Sequence, residues 1–187
     1  SLEKRTISDL IKKLNSDKND YINFWNNFGP VLKEGIYEDF ERKESILEIA
    51  LFKQSASSEL ITLNEYISNM QKKQKDIYFI TGDNYESVIN NPSLEGYKSR
   101  NINVLILDDP VDSFWTSTTP SYKENNFKSV TQGIDDLDKL GKKTEEDKNE
   151  KSVYSLLVLL KAEWKEKVKD VRVSKRLTDS PVCLVGD

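Results

Sequence analysis

NVLILDDPVDSFW, residues 103–115, is the stretch on which the reading of this chain turns. Val104 to Leu107 is an unbroken apolar run with no polar alternation, as in a strand covered on both faces. Asp108 and Asp109 follow at its carboxyl end, a position where open α/β sheets often place a ligand-binding carboxylate. Pro110 comes next, and soon after it two large aromatics, Phe114 and Trp115. The segment therefore reads either as a catalytic corner or as an adhesive surface.

Upstream, DIYFIT (76–81) is a second continuous apolar run. About 20 residues separate the two runs, enough for a crossover helix interrupted at Pro92, and strand, helix, strand predicts a parallel pair. FKSVT (127–131) is a candidate third strand. Thr62 and Glu65 are spaced as a capping box, so TLNEYISNMQ should start a helix sharply.

Before these strands lies a helical lead-in. Ile7, Leu10, Ile11, Leu14, Tyr21, Ile22, Trp25 and Phe28 recur at three- and four-residue steps, with a polar patch at Asn15 to Asp20. Gly29-Pro30 is expected to stop that pattern. A second helix is expected from Glu38 to Phe52, with Phe40, Ile46, Leu47, Ile49 and Ala50 inward, followed by a small-residue loop, QSASSELI. The predicted fold is thus α/β: a long helical lead-in and a small three-layer αβα sandwich with a short parallel sheet, over residues 1–131. A polar linker (132–150) and the start of an α+β domain (151–187) follow, the latter with VRVS and PVCLV as short strands. That last unit is smaller than the roughly 40 residues an independent core needs, so it reads as the beginning of something longer.

Composition narrows the chemistry. The chain has 187 residues, no histidine and a single cysteine, Cys183, so Ser-His-Asp catalysis, His-ligated zinc and an internal disulfide fall away. One unpaired cysteine fits a reducing compartment. Charged residues make up 32% with signs interspersed and a net charge of −4, which argues against a large basic face for nucleic acid, though not against a local patch. No apolar run approaches the roughly 20 residues of a membrane span.

Asp108 and Asp109 are candidate Mg²⁺ or Ca²⁺ ligands, which would make the chain a free-standing metal-dependent α/β enzyme. The simpler reading makes Asp109 the cap of a helix opening at Pro110. TGDN after the first strand carries one glycine and no phosphate-loop pattern occurs, so a turn is favoured over a phosphate site. Lys72, Lys73 and Lys75 suit the end of a helix, where they complement its dipole. If residues 110–118 are helical, Val111 and Phe114 share an anchoring face and packing Phe114 tends to turn Trp115, about 100° round, outward; the alternative is that both aromatics are buried. An exposed aromatic amid Ser and Thr suits protein recognition.

Long collinear stretches carry a resemblance. FWNNFGPVLKEGIYEDFERKESILEIALF, LNEYISNMQKKQKDIYFITGDNYESVINNPSLEGYKSRNINVLILDDPVD and KVKDVRVSKRLTDSPVCLV together resemble the heat shock protein 90 chaperones, most closely the bacterial, high-temperature protein G type. The resemblance implies the later middle domain followed by the start of the C-terminal dimerisation domain. It implies a cytoplasmic, ATP-dependent chaperone that is a homodimer when intact, with ATP and Mg²⁺ handled outside these residues. This region would then be monomeric, without cofactor or catalytic residue, and would not engage nucleic acid or membrane. Its partners would be unfolded or partly folded client proteins. In bacterial members the helix after the second strand carries an acidic residue and a tryptophan that contact clients. Alignment on Asp112 puts Ser113 at the acidic position and Phe114 at the tryptophan. The helix-face argument instead favours Trp115, so the candidate client site comprises Asp112, Ser113, Phe114 and Trp115. A purely structural spacer is the third reading.

Overall fold

The computed structural model describes residues 2–132, 137–140, 150–174 and 177–185. Two long helices come first, α1 (Leu2–Ser16) and α2 (Lys18–Glu38). The polar patch between them breaks the chain at Asp17, whose side chain accepts the Asp20 N–H and caps α2. Gly29-Pro30 does not end the helix, as the sequence reading expects; α2 continues to Glu38 with Pro30 inside it. Pro30 is exposed, as is Asn26, whose carbonyl loses its helical donor and can turn to water. Gly29 serves packing rather than termination, since a Cβ there would lie 2.7 Å from the Trp25 indole.

The second predicted helix is shorter than expected. α3 covers Lys43–Ile49, and LFKQ becomes a strand, β1 (Leu51–Gln54). Phe40, expected inside, lies in the turn before α3 and is 80% exposed. Next come β2 (Ile61–Thr62) and α4 (Leu63–Ser68), opened by the Thr62/Glu65 capping box with both of its reciprocal bonds formed. β3 (Ile77–Thr81) leads through α5 (Tyr85–Ile89), a 3₁₀ turn at Pro92–Leu94 and α6 (Glu95–Lys98) to β4 (Leu105–Leu107). The crossover helix is therefore interrupted at Pro92, as predicted. α7 (Asp112–Thr118), β5 (Ser121–Tyr122) and β6 (Asn125–Ser129) follow.

The sheet order is β2-β1-β4-β3-β6-β5. Its centre, β4-β3-β6, is parallel, with Phe79 opposite Leu105 and Ile77 opposite Phe127. The outer pairings are antiparallel, so the short parallel sheet predicted from sequence forms the middle of a mixed one. Ile77, Phe79, Leu105 and Leu107 face one apolar cluster, with Tyr21, Trp25, Phe52 and Trp115. Tyr78, Ile80, Val104 and Ile106 face a second, with Val88, Leu94 and Tyr97. Covering on both faces is why these strands are apolar at every position. Tyr66 ties the layers together: its hydroxyl donates to the Asn103 carbonyl at 2.7 Å and accepts the Tyr78 N–H at 3.1 Å.

Within the stretch read as a linker, α8 (Leu137–Leu140) places Leu137 and Leu140 against the second cluster; residues 133–136 and 141–149 lie outside the described residues. α9 (Glu150–Glu163) is the apolar helix expected after it. VRVS and PVCLV form no strand among the described residues, and Val173, Val182 and Leu184 are exposed. A β-prone segment without a partner strand has no ladder to join. Instead, the Glu95 carboxylate accepts the successive N–H groups of Thr178, Asp179 and Ser180 at 2.8–3.2 Å, and the Ser180 hydroxyl as well.

Candidate functional site

The loop after β4 and helix α7 bring the sequence-predicted residues onto one corner, against α2. Asp109 is not the helix cap that the Asp-Pro pair suggested. Its carbonyl accepts the Asp112 N–H at 2.9 Å, while its carboxylate pairs with Lys33 at 2.6 Å. The side chain that reaches back is Asp112, which accepts the Asp109 N–H at 3.1 Å.

Asp112 is fully buried and fully partnered. One carboxylate oxygen accepts the Trp115 indole N–H at 2.7 Å, and Lys33 Nζ lies 3.0 Å away. Lys33 is itself 4% exposed and has its ammonium 5.3 Å from the centre of the Phe52 ring. Burial pushes the Asp112 carboxyl up, while the Lys33 charge and the Trp115 donor pull the other way without fully offsetting it. A buried ion pair of this kind fixes geometry more surely than it adds stability. Here it fixes how α7 sits on α2.

The consequence is opposite to the helix-face expectation. Trp115 is wholly buried, between Phe52 and Phe127 at ring separations of 5.9 and 5.3 Å. Phe114 is 60% exposed and packs on Tyr37 of α2, with the ring centroids 6.0 Å apart and the planes tilted by 32°. Val111, assigned as the other half of an anchoring face, is only half-buried. An indole with an ionic acceptor at hand goes inward, and its neighbour about 100° round the helix is left outside. Of the four candidate contact residues, Ser113 and Phe114 are exposed and Asp112 and Trp115 are not. Buried residues of that kind support a surface rather than touch a partner.

The hydroxyls of α7 are turned inward along the helix. Ser113 donates to the Pro110 carbonyl, Thr116 to Asp112, Ser117 to Phe114 and Thr118 to Trp115, at 2.6–3.2 Å. They leave Phe114 above a floor of small side chains with few donors free. Asp108 faces Lys53, with which it pairs at 2.6 Å. Among the described residues no group of three or more carboxylates and cysteines is placed to hold a metal.

Two residues of this corner escaped the sequence reading: Lys33 and Tyr37. The signal for Lys33 was present, because Trp25, Gly29, Lys33 and Ile36 follow one another on a single face of α2. Ending the helix at Gly29-Pro30 hid it.

A family model described as Hsp90 protein matches residues 2–187. This chain belongs to the Hsp90 family. Among its Hsp90 relatives, the chaperone protein HtpG of Rhodospirillum rubrum is 44% identical over 194 residues, covering 99% of this chain and 31% of that protein. HtpG of Wolbachia pipientis wMel is 43% identical over 195 residues, covering all of this chain and again 31% of the relative. The chain thus spans about a third of the length of these chaperones. The middle domain of a putative heat shock protein from Plasmodium falciparum superposes with a TM-score of 0.66 at 32% identity, covering 71% of this chain and 56% of that one. Over the 71% that it covers, this chain is therefore a homologue of an Hsp90 middle domain. None of the described helices is long and apolar enough to cross a membrane.

Proposed function

We propose that this chain acts as part of an ATP-dependent, cytoplasmic Hsp90-type chaperone, and that its α2–α7 corner contacts unfolded or partly folded client proteins. Nucleotide and Mg²⁺ binding, and the pairing of two protomers, belong in this reading to parts of the intact protein outside these 187 residues. Residues 1–131 serve as the later middle domain, 132–150 as a linker, and 151–187 as the start of the dimerisation domain. One observation carries the client assignment: Phe114 stands 60% exposed on a helix whose base is pinned by the buried Lys33, Asp112 and Trp115. A large apolar ring kept in water on a rigid mount costs solvation free energy and is ready to be covered.

The alternative of a metal enzyme built on Asp108 and Asp109 finds no support in this geometry. Each carboxylate lies 2.6 Å from a lysine ammonium, which a cation would have to displace.

The test is binding to a permanently unfolded protein, for example one reduced and alkylated. Phe114→Ala should weaken binding by about 1–2 kcal/mol, roughly 5- to 30-fold, with the unfolding midpoint nearly unchanged. Unaltered affinity in a folded Phe114→Ala variant would remove α7 from the client surface.

A further inference from the structure

The second half of the contact surface comes from α2, and it carries charge. Tyr37 is 40% exposed and packs against Phe114, so the two rings form one aromatic platform contributed by two helices. The platform is not accidental in register. Lys33, which anchors α7 through Asp109 and Asp112, lies one helical turn before Tyr37, so the contact that places α7 also places Phe114 beside Tyr37.

Glu34 and Glu38 flank that ring, three residues before Tyr37 and one after it, and a turn apart on the exposed side of α2. Both are close enough to act on the phenol: burial raises the Tyr37 hydroxyl first, and the charges of Glu38 and Glu34 raise it further. Neither carboxylate takes part in the ion pairs seen among the described residues. Asp39, next along the chain, is by contrast paired with Arg42. The rim of the platform is thus acidic, while its floor on α7 consists of Ser and Thr whose hydroxyls are used within the helix.

We propose that Tyr37, Glu34 and Glu38 form, with Phe114, a recognition surface selective for extended polypeptide in which an apolar side chain adjoins arginine or lysine. The apolar side chain covers Phe114. A neighbouring guanidinium stacks on the Tyr37 face and meets the two carboxylates, a geometry that favours arginine over lysine. Acidic apolar segments are repelled by the same rim. This inference rests on the reading of Phe114 as a client contact and adds to it a preference by charge.

The experiment uses the 187-residue chain and two unstructured fluorescent peptides of equal apolar content. In one the apolar residues are flanked by arginine, in the other by glutamate. Fluorescence polarisation at low salt should favour the arginine peptide by about tenfold, and the preference should collapse in about 0.5 M salt. Glu34→Gln with Glu38→Gln should erase the preference while leaving the affinity that depends on Phe114. Tyr37→Phe should keep most binding and Tyr37→Ala should lose it, with urea midpoints confirming that each variant is folded. Equal binding of both peptides, still sensitive to Phe114→Ala, would overturn the charge selectivity alone. Binding of either peptide that ignores Phe114→Ala, or no binding at all, would overturn the client reading beneath it. Concentration-dependent dimerisation abolished by Tyr37→Ala would assign the face to a second copy and also overturn the proposal.

Discussion

Replacing Trp115 separates the structural role of α7 from its contact role. In Trp115→Ala a fully buried indole is lost from between Phe52 and Phe127, and the Asp112 carboxylate loses a donor at 2.7 Å. Removing an aromatic of this size from a core costs about 3–5 kcal/mol. Trp115→Phe keeps most of the ring and gives up mainly the hydrogen bond, leaving a buried carboxylate one partner short, at about 1–3 kcal/mol. With a urea slope of about 2 kcal/mol/M for a domain of this size, the midpoint should fall by roughly 1.5–2.5 M for alanine and 0.5–1.5 M for phenylalanine. Equilibrium urea unfolding followed by far-UV circular dichroism measures both. Phe114→Ala, by contrast, removes a ring that is mostly in water and should change stability by about 0.5 kcal/mol or less, a midpoint shift of roughly 0.25 M at the same slope. If Trp115→Ala leaves the midpoint within about 0.3 M of the parent while Phe114→Ala lowers it by more than 1 M, the two side chains have been placed the wrong way round.

The buried pair beneath them yields a coupled prediction. Lys33→Met should destabilise by about 3–5 kcal/mol because Asp112 is left charged without its cation. Adding Asp112→Asn should recover part of the loss, and strictly additive effects in the double-mutant cycle would mean that the pair does not act as a unit. Glu95 supplies a pH test. The Ser180 hydroxyl, then the amides of Asp179 and Thr178, hold its carboxyl down at about 2, below the ordinary value of 4.5. A depressed acid stabilises its contact above the unfolded value, so docking of residues 178–180 should be complete above pH 4.5 and lost as pH falls towards 2. Amide chemical shifts of these three residues should titrate in that window in the parent, and Glu95→Gln should abolish the transition; identical titrations in both would refute the contact.

Some of this architecture was legible in the sequence, because the causes were local. The runs at 76–81 and 103–107 have no polar alternation because Ile77 and Phe79 face one core and Tyr78 and Ile80 the other. The Thr62/Glu65 box starts α4 through bonds between residues three apart. Pro92 interrupts the crossover helix. Family membership, too, was carried by the order and spacing of residues.

Other features depended on partners distant along the chain. Leu51 and Phe52 read as the end of a helix, and Gln54 as the start of a loop, until β4 supplies a ladder, Lys53 lying opposite Ile106. VRVS and PVCLV read as strands, but no neighbouring strand among the described residues meets them. Pro30 is tolerated inside α2 because its side of the helix faces water. The orientation of α7 is the clearest case. A helix wheel sets Phe114 and Trp115 about 100° apart but cannot say which one faces the core. That choice belonged to Lys33, 79 residues before Asp112, together with Phe52 and Phe127: an ammonium and two rings that meet the indole and its acceptor only once the chain has folded.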